Sequence, residues 1–582
     1  MRLTLVLAAA TLLAGCTPKP KAELAPLLEE FIYTTLSFSP SAATGQGYHV
    51  HHGRKLDDEL DDFSFPALQR QMKFYADFHK RLEQIDRTRL SSEDRADLDI
   101  IEGQIALALF DLGLIHSPQH NPTVYVEALG NALFNPYVLE YAPPAERFRS
   151  IIARLRQVPH YVDVAHGSLR AVPPAWMDVA VEENDGNIAL IDGALRGAAP
   201  AELKTEYDEA AAPALDALRA FNRFLKSELP KRQIGHLPSW RLGAEHYRMK
   251  FRFALGTDRT PEDVLRQARA DLETVRVRMR GIAMPLHAQW YPTHGETDAE
   301  TVIREVLQRI SDKRSTPASY LEDARHDLEE ARQFVTAKNL LTLPSNANLK
   351  VIPTPEFVRG VYSVGGFNPA PPLEPRLGAF YWVTPIPPDW PAARVESKLR
   401  EYNFYKLKLL TMHEAVPGHY VQGEFANAVQ PSSRRVLRAV YGNTPYVEGW
   451  AEYATQMMLD EGLLDHSPEL RLTFLKEELR VIANAIIDIR LQMDQMSEAE
   501  VAPFLESKTF QEHEEATQKL RRAQLTSAQL PAYLVGWRDW MRVRGEYRAR
   551  KGAGYRLHDF NDAALREGAV PLPVLGRLLA GQ

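Results

Sequence analysis

The sequence predicts a mainly α-helical protein with one small antiparallel sheet. Helix-start patterns and apolar residues spaced three or four apart recur over most of the 582 residues, which is typical of helices with one buried face. The exception lies between residues 340 and 390, where β-branched and aromatic residues alternate with Pro- and Gly-rich segments. The chain is long enough for two or more domains. No linker divides it, so we predict one large unit over residues 25–582.

The N-terminus has the pattern of a secretion signal. The apolar run Leu3–Leu13 follows one arginine and is too short to span a bilayer. It ends in Leu13-Ala14-Gly15-Cys16, which resembles the lipobox of bacterial lipoproteins and implies cleavage before Cys16 with lipid attached to it. Cys16 is the only cysteine, which excludes internal disulfides. We therefore expect a signal peptide at residues 1–15 and a lipid-anchored tether at 16–24.

The predicted anchor sets the expected location. Thr17 follows the cysteine, whereas an aspartate there typically marks retention in the inner membrane. We expect a bacterial cell-envelope protein on the periplasmic face of the outer membrane, touching the membrane through its lipid alone. The alternative is an ordinary secretory signal with an incidental cysteine.

The charge distribution argues against a nucleic-acid partner. The formal net charge is −7, and the sequence has neither a basic run nor a glycine-rich phosphate loop.

Helices account for the segments before and after the β-rich stretch. Thr260-Pro261-Glu262-Asp263 combines an N-cap, a proline at the first helical position and acids that the helix dipole favours. Similar helical patterns run through residues 145–160, 203–228, 394–416, 446–460, 470–496 and 528–550. We expect two lobes, residues 25–340 and 341–582, with a cleft between them.

Two segments predict the strands. Leu349–Ile352 and Ala379–Thr384 are rich in β-branched and aromatic residues, and Gly365-Gly366 with Pro369–Pro372 predicts a long loop between them. We expect these strands to pair antiparallel just before the helix that carries His413. The second strand could then pair with an extended substrate by edge addition, or its aromatic residues could simply fill the core.

The sequence His413-Glu414-Ala415-Val416-Pro417-Gly418-His419 places two imidazoles around a carboxylate. A catalytic zinc needs about three protein ligands, an open position for water and a carboxylate base. In the common H-E-x-x-H pattern the histidines lie one helical turn apart. Here they are six residues apart, about 600° on an ideal helix, so His419 would point roughly 240° away from His413.

Pro417 and Gly418 offer a way around this geometry. Proline cannot donate to the carbonyl of His413 and disturbs the preceding turn, while glycine accepts positive φ at little cost. We predict that the helix breaks here and returns His419 to the metal. The alternative is that His419 lies outside the ligand shell and another group completes the site.

Glu448 is the best candidate for a third ligand, on a second helix packed against the first. Glu452 follows one turn later on the same face and could orient a histidine ligand; a plain surface acid is the alternative. Apolar residues flank both segments, so we expect the cluster in a buried cleft rather than on the surface. The histidines His51, His52 and His287 are interpreted as structural.

At these residues the chain resembles the DUF885 family, bacterial proteins that are often secreted or lipid-anchored and are regarded as zinc-dependent peptidases. The family's marks are H-E-x-x-P-G-H and E-G-W-A-x-Y, and both occur here. The resemblance covers most of the mature chain and includes Gly378–Val383, Gln529–Gly536 and Gly568–Leu575.

The resemblance implies a largely helical fold related to the gluzincin peptidases. It implies one zinc ion held by His413, His419 and Glu448, with Glu414 as the general base. Tyr533 lies in a matching segment and is our candidate donor to the oxyanion, with a purely structural tyrosine as the alternative.

The chain departs from the family pattern at three places. Gln492 and Asn561 stand where relatives tend to have histidines, and Ser527-Ala528 stands where Pro-Gly is expected. Gln492 and Asn561 could still donate hydrogen bonds from beside the site but could not carry charge.

The expected activity is hydrolysis of peptide or related amide bonds by metal-activated water. One alternative is an amidase or deacylase acting on small acylated amines. Another is a non-catalytic envelope lipoprotein that retains a metal site, which the missing histidines favour and the intact Glu414 argues against.

Overall fold

The structure, a computed structural model, describes residues 24–581 apart from 233–238, 295–297, 345–347, 357–358, 360–361 and 363. The predicted signal peptide, Cys16 and the tether up to residue 23 lie outside the described residues. No helix in the described ranges is long and apolar enough to cross a membrane.

Helices fill most of the described chain, as predicted. Those before the β-rich stretch are α1 Leu24–Ser37, α2 Pro40–Gly45, α3 Phe65–Leu82, α4 Ser92–Phe110, α5 Ser117–His120, α6 Thr123–Val138, α7 Pro144–Ser168, α8 Pro174–Ala189, α9 Arg196–Ala198, α10 Lys204–Arg223, α11 Leu229–Arg232, α12 Gly243–Leu255, α13 Pro261–Trp290, α14 Ala299–Ser311 and α15 Tyr320–Lys338. The predicted N-cap of α13 is present, because the Thr260 hydroxyl accepts a hydrogen bond from the backbone N–H of Asp263 at 3.1 Å.

The remaining helices carry the candidate site. They are α16 Ala392–Glu401, α17 Phe404–Glu414, α18 His419–Asn427, α19 Ser432–Val440, α20 Thr444–Asp460, α21 Pro468–Gln492, α22 Val501–Thr509, α23 His513–Leu525, α24 Leu530–Lys551, α25 Leu557–Arg566 and α26 Leu572–Ala580. The segment predicted as one helix over 394–416 is two helices. Asn403 starts the second one by accepting from the backbone N–H of Tyr405 at 3.1 Å.

Strands β1 Val50–His51 and β2 Arg54–Lys55 form a small antiparallel hairpin that was not predicted. A second sheet contains β3 Leu349–Pro353, β4 Gly365–Asn368 and β5 Ala379–Val383, in the order β3-β5-β4. This is the sheet that the sequence predicts, in the place predicted.

The predicted antiparallel pairing of β3 with β5 is wrong, because these two strands run parallel. The antiparallel partner of β5 is β4, in the segment interpreted as a loop because of its two glycines. A Cβ on Gly365 would lie 2.4 Å from the Trp382 carbonyl oxygen, so glycine permits this close pairing. With partners on both sides, β5 has no free edge, and the predicted edge addition to it is also wrong.

Two large cores hold the helices together. One combines apolar residues of α1 and α4 with those of α12–α15, α17–α21 and α24–α26. The other combines α6, α7, α8 and α10 with Phe380 and Trp382 of β5. Tyr381, on the opposite face of β5, belongs to a smaller core with α16 and α17. The sheet therefore joins cores formed by early and late parts of the chain. The division at residue 340 stays a prediction.

Candidate metal centre

The helix is interrupted between the two histidines, as predicted. Helix α17 ends at Glu414 and α18 begins at His419. The Ala415 backbone closes the last turn by donating to the Thr411 carbonyl at 2.9 Å, and the Gly418 N–H donates to the Met412 carbonyl at 2.9 Å. The second imidazole therefore stands at the first turn of a new helix rather than 240° around the old one.

The role of Gly418 differs from the prediction. Its φ is −73°, so positive φ is not what requires glycine. A Cβ would instead lie 1.8 Å from the His413 carbonyl oxygen and 2.4 Å from that of Met412, far inside van der Waals contact. Glycine is needed because the chain folds back directly onto the end of α17.

The break brings His413 and His419 to the same carboxylate. Glu448 Oε2, on α20, lies 3.6 Å from His413 Nε2 and 3.4 Å from His419 Nε2. Ligand atoms around a tetrahedral zinc lie about 3.4 Å apart when the bonds are about 2.0–2.2 Å. The three side chains are thus spaced as ligands of one ion, and one ligand atom from each falls within 4.8 Å of the others.

An unsatisfied polar atom shows that these residues fit a metal. Glu448 Oε2 is buried and has no hydrogen-bond partner among the described residues. The contacts from Glu448 Oε2 to the imidazoles exceed hydrogen-bond length. Buried polar atoms are rarely left unpaired, and a divalent cation between the three groups would satisfy the carboxylate. The residues present therefore match a site for a transition metal such as zinc.

The electrostatics of the centre also favour a cation. Burial acts to lower the pKa of His413, but contact with Glu448 and the charges of Glu452 and Glu414 raise this pKa to about 9. Burial raises the pKa of Glu452, whose Oε1 lies 3.6 Å from His413 Nδ1. Glu452 is thus placed behind the imidazole, on the side away from Glu448, where a carboxylate orients a metal-binding histidine.

Two glycines bring α20 against α24. A Cβ on Gly449 would lie 2.2 Å from the backbone carbon of Gly536, and a Cβ on Gly536 would lie 1.9 Å from the Pro445 carbonyl oxygen. Neither position has room for a side chain. The glycine beside Glu448 therefore sets the depth at which this carboxylate enters the site.

Trp450 links α20 by hydrogen bonds to the turn between α17 and α18. Its indole Nε1 donates to the carbonyl oxygens of Pro417 at 2.9 Å and Gly418 at 3.2 Å. The residue two positions after Glu448 thus holds the turn that presents His419.

A cavity of about 1320 Å³ opens onto the centre and is lined by His413, Glu414, His419 and Glu448. Glu414 makes no hydrogen bond or ion pair with any described residue. Its carboxylate is half-buried beside the two candidate ligand histidines and lines the cavity.

Tyr533, at the start of α24, lies on the same cavity. Its ring is nearly parallel to that of His413, with centroids 6.3 Å apart. Arg522 Nη2 donates to the Tyr533 oxygen at 3.0 Å. Because that oxygen accepts from Arg522, the tyrosine's own proton is free to be donated elsewhere, and no described residue accepts it.

Gln492 and Asn561 lie outside the lining of the cavity. Gln492 Oε1 accepts from the backbone N–H of Leu242 at 2.9 Å. Asn561 donates to the Leu340 carbonyl at 2.8 Å and accepts from the Tyr453 hydroxyl at 2.9 Å. Both side chains tie helices together and are fully buried.

Sequence reasoning did not single out Arg522 or Tyr362, which both line the cavity. Arg522 sits among other charged residues of α23, so the pattern resembles a solvated helix face. Its spacing from Tyr533 across the turn between α23 and α24 carries no recognised motif. Strand β4 was missed too, and its Gly365–Asn368 backbone, on the edge of the sheet, lines the same cavity.

A second His/His/Glu group contains His287, one of the histidines interpreted as structural. His287, His294 and Glu305 also bring potential ligand atoms within 4.8 Å of one another. Here, however, His287 Nε2 is bonded directly to Glu305 Oε2 at 2.6 Å. The group already satisfies itself without an ion.

The fold and this centre define a large multihelical protein with a candidate metal-binding site in a deep cavity. The model of a family described as "Bacterial protein of unknown function (DUF885)" matches residues 40–579, and the chain belongs to this family. No curated protein matches the chain.

Two solved structures share the fold. One, described as a "putative lipoprotein of unknown function" from Shewanella oneidensis, is 27% identical with a TM-score of 0.79, covering 96% of this chain and 100% of its own. Another, described as a "putative lipoprotein" from Colwellia psychrerythraea, is 17% identical with a TM-score of 0.75, covering 96% and 98%. Metallocarboxypeptidase 1 of Trypanosoma cruzi is 11% identical, covers 96% and 92%, and has a TM-score of 0.39, too low to carry an argument.

Proposed function

We propose that the protein is a zinc-dependent hydrolase of peptide or related amide bonds. The observation that carries this proposal is the position of Glu448 Oε2, buried and unpartnered, 3.6 and 3.4 Å from the Nε2 atoms of two histidines, with the unpaired carboxylate of Glu414 beside them. A structural metal site has no need of such a base and is usually closed, whereas this one lines a cavity.

His413, His419 and Glu448 would hold the ion. Bound zinc in such a site lowers the pKa of a water towards neutrality and polarises the carbonyl to be attacked. Glu414 accepts the proton of the attacking water and passes it to the leaving amine. The amide C–N bond breaks, oxygen joins the acyl carbon, and the amine leaves protonated.

Tyr533 supplies the second donor that the reaction needs. The negative charge that develops on the carbonyl oxygen is stabilised by a donor fixed before the reaction begins. The Tyr533 hydroxyl faces the cavity with its proton free, and Arg522 fixes its oxygen from behind. Burial raises the pKa of Tyr533 despite the nearby Arg522, so the group is a neutral donor at neutral pH.

The site also has a place for an extended substrate. Strand β4 is an edge strand whose backbone lines the cavity, and main-chain hydrogen bonds to such an edge can align a peptide. This edge takes the role that the sequence suggested for β5.

We further propose that Cys16 carries a lipid and holds the protein at the periplasmic face of the outer membrane. The Leu13-Ala14-Gly15-Cys16 pattern supports the lipid attachment, and Thr17 after the cysteine, where an aspartate would favour the inner membrane, supports the outer membrane. The descriptions of the related structures from Shewanella oneidensis and Colwellia psychrerythraea as lipoproteins also support the lipid attachment.

The test compares wild type with Glu414→Gln. We expect both proteins to retain about one zinc ion, measured by elemental analysis. Hydrolysis by Glu414→Gln should fall by roughly 10²- to 10⁴-fold, the usual contribution of a general base, across a library of peptides and N-acyl amines. Unchanged turnover in the variant, or a wild type that binds no metal, would sink the proposal.

A further inference from the structure

Arg522 lines the cavity, and its guanidinium has no acidic partner among the described residues. Its Nη2 donates to Tyr533 Oη at 3.0 Å and to Gln529 Oε1 at 3.2 Å, both neutral oxygens. Within the described residues no carboxylate lies within 4.0 Å of the guanidinium. Arginine has five N–H donors, so those on Nε and Nη1 remain for a ligand.

Neighbouring bases on the same cavity behave differently. Arg480 donates to Glu477 Oε2 at 2.7 Å, and Arg521 pairs with Glu182. Lys519 lies 3.9 Å from a carboxylate oxygen of Glu515.

This contrast points to a missing anion. Arg522 is partly buried. Arginine stays charged in proteins, and even partial burial of a charge without a counter-charge costs free energy. The guanidinium fork matches a carboxylate bidentately. Arg522 therefore has the chemistry of a receptor for an anionic group that arrives with the substrate.

The position of Arg522 limits where on the substrate that anion lies. One hydrogen bond joins the guanidinium to Tyr533, and the Tyr533 ring faces His413. The anion is therefore close to the scissile bond. One residue of extended chain spans about 3.5 Å, so a carboxylate on the residue just after the scissile bond is at the right scale.

We propose that Arg522 binds the free α-carboxylate of the residue released by hydrolysis. The substrates are then peptides, cleaved at the bond before their C-terminal residue, or N-acyl amino acids. In both cases the amide C–N bond breaks and one product is a free amino acid. This inference rests on the proposed amide hydrolysis and narrows its substrate class. Water supplies oxygen to the acyl carbon, and the released amine takes up the proton.

The experiment uses matched pairs of N-acetyl dipeptides and N-acetyl amino acids, each as the free acid and as the C-terminal amide. We expect wild type to prefer the acid by about 10- to 100-fold in kcat/KM, the usual effect of a charged hydrogen bond, mainly through KM. Arg522→Gln should bring the ratio of acid to amide close to one, and Arg522→Lys should restore part of it. The control is Arg521→Gln. Because the Arg521 guanidinium is already paired with Glu182, this variant should keep the wild-type ratio of acid to amide.

The ratio separates carboxylate binding from other effects. Loss of the Arg522 contact to Tyr533 slows both members of a pair, so it does not change their ratio. A preference created by zinc binding the free carboxylate would persist in Arg522→Gln and would overturn the inference. So would a wild type that treats acid and amide alike.

A binding measurement distinguishes this inference from the proposed function. In Glu414→Gln, calorimetry should show the N-acetyl dipeptide acid binding about 10- to 100-fold tighter than its amide. That preference should vanish in the Glu414→Gln/Arg522→Gln double variant. Preferred binding of the acid without turnover in wild type would refute the hydrolase and leave the carboxylate site standing. Equal binding of acid and amide would refute the carboxylate site.

Discussion

Two His/His/Glu groups among the described residues contain the same residue types but differ in whether their polar atoms are paired. In the first, Glu448 is spaced from His413 and His419 at 3.6 and 3.4 Å, too far for hydrogen bonds. In the second, His287 is bonded to Glu305 at 2.6 Å. The first leaves buried polar atoms unpaired, while the second pairs them. Residue types alone do not define a metal site, since what matters is whether the ligands are held apart.

The elements that carry the two groups explain the difference. The second joins α13 to α14, neighbours in the chain, and His294 is exposed. The group of His413, His419 and Glu448 joins α17, α18 and α20 around the turn between α17 and α18. Close packing of these elements holds the three side chains apart. That packing depends on glycines at 418, 449 and 536.

The largest expected effect is on metal content. His413→Gln removes a direct ligand, so its zinc affinity should fall by more than the 10- to 100-fold typical of an outer-shell change, and hydrolysis should be lost. His287→Gln should retain both zinc and activity. Zinc affinity is measured by competition with a chelator. A loss of zinc in His287→Gln of the same size would contradict the comparison.

The glycines give the next largest effect. Gly418→Ala places a Cβ against the His413 carbonyl, and it should lower the free energy of unfolding by about 1–3 kcal/mol, the usual cost of overpacking, while weakening zinc binding. The matched control is Gly281→Ala on α13, where a Cβ meets nothing within 4 Å. That change should raise the free energy of unfolding by about 0.5–1 kcal/mol, because alanine is the better helix former.

Urea unfolding of the zinc-free proteins measures both glycine variants. If Gly418→Ala left the free energy of unfolding unchanged, the turn between α17 and α18 would not need glycine. The explanation of how His419 reaches the site would then fail.

Glu452→Gln should have a smaller effect than loss of a ligand. Its carboxylate lies 3.6 Å from His413 Nδ1, where we expect it to orient the imidazole without being a ligand itself. We expect zinc affinity to fall about 10- to 100-fold, with the ion still bound at saturating zinc. The corresponding change in the second group, Glu305→Gln, should leave zinc affinity unchanged. An unaltered affinity in Glu452→Gln would reduce this residue to a structural acid.

The smallest expected effect is that of the opposite change, from alanine to glycine, at Ala528. Ala528 has a φ of +61°, a left-handed conformation that costs a non-glycine residue about 1–2 kcal/mol. Ala528→Gly should therefore raise the free energy of unfolding by about 0.5–1 kcal/mol without changing zinc affinity. Thermal or urea unfolding tests this. A destabilised variant would show that loss of the buried Ala528 methyl group outweighs the relief of backbone strain.

The predictions that succeeded depended on local patterns. Helical periodicity predicted the fold class, and the N-cap at Thr260 was correct because its hydrogen bond spans only a few residues. Pro417 and Gly418 predicted the break in the helix. The roles of the candidate ligands, the base and Tyr533 stay predictions, although the structure brings them all to one cavity.

The predictions that failed depended on how closely parts of the folded chain approach each other, which the local pattern does not contain. Strands β3 and β5 are parallel neighbours in the sheet, and β4, which lies between them in sequence, is the antiparallel partner of β5. The glycines of β4 resemble a loop unless their pairing with Trp382 is known. Gly418 was assigned to positive φ, but its need for glycine comes from a carbonyl five residues earlier. Arg522 has the sequence context of a surface charge, and only packing shows that it lacks an acid.

Short-range patterns were enough to predict a helical protein, a heptapeptide with candidate metal ligands and the place where the helix breaks, because periodicity and proline chemistry act over a few residues. The tertiary structure decided which carboxylate faces both imidazoles, which of two His/His/Glu groups stays open, and which arginine enters the cavity unpaired. Those outcomes depend on how closely backbones approach each other, at glycines such as Gly449 and Gly536. That distance is set by packing between helices far apart in the chain.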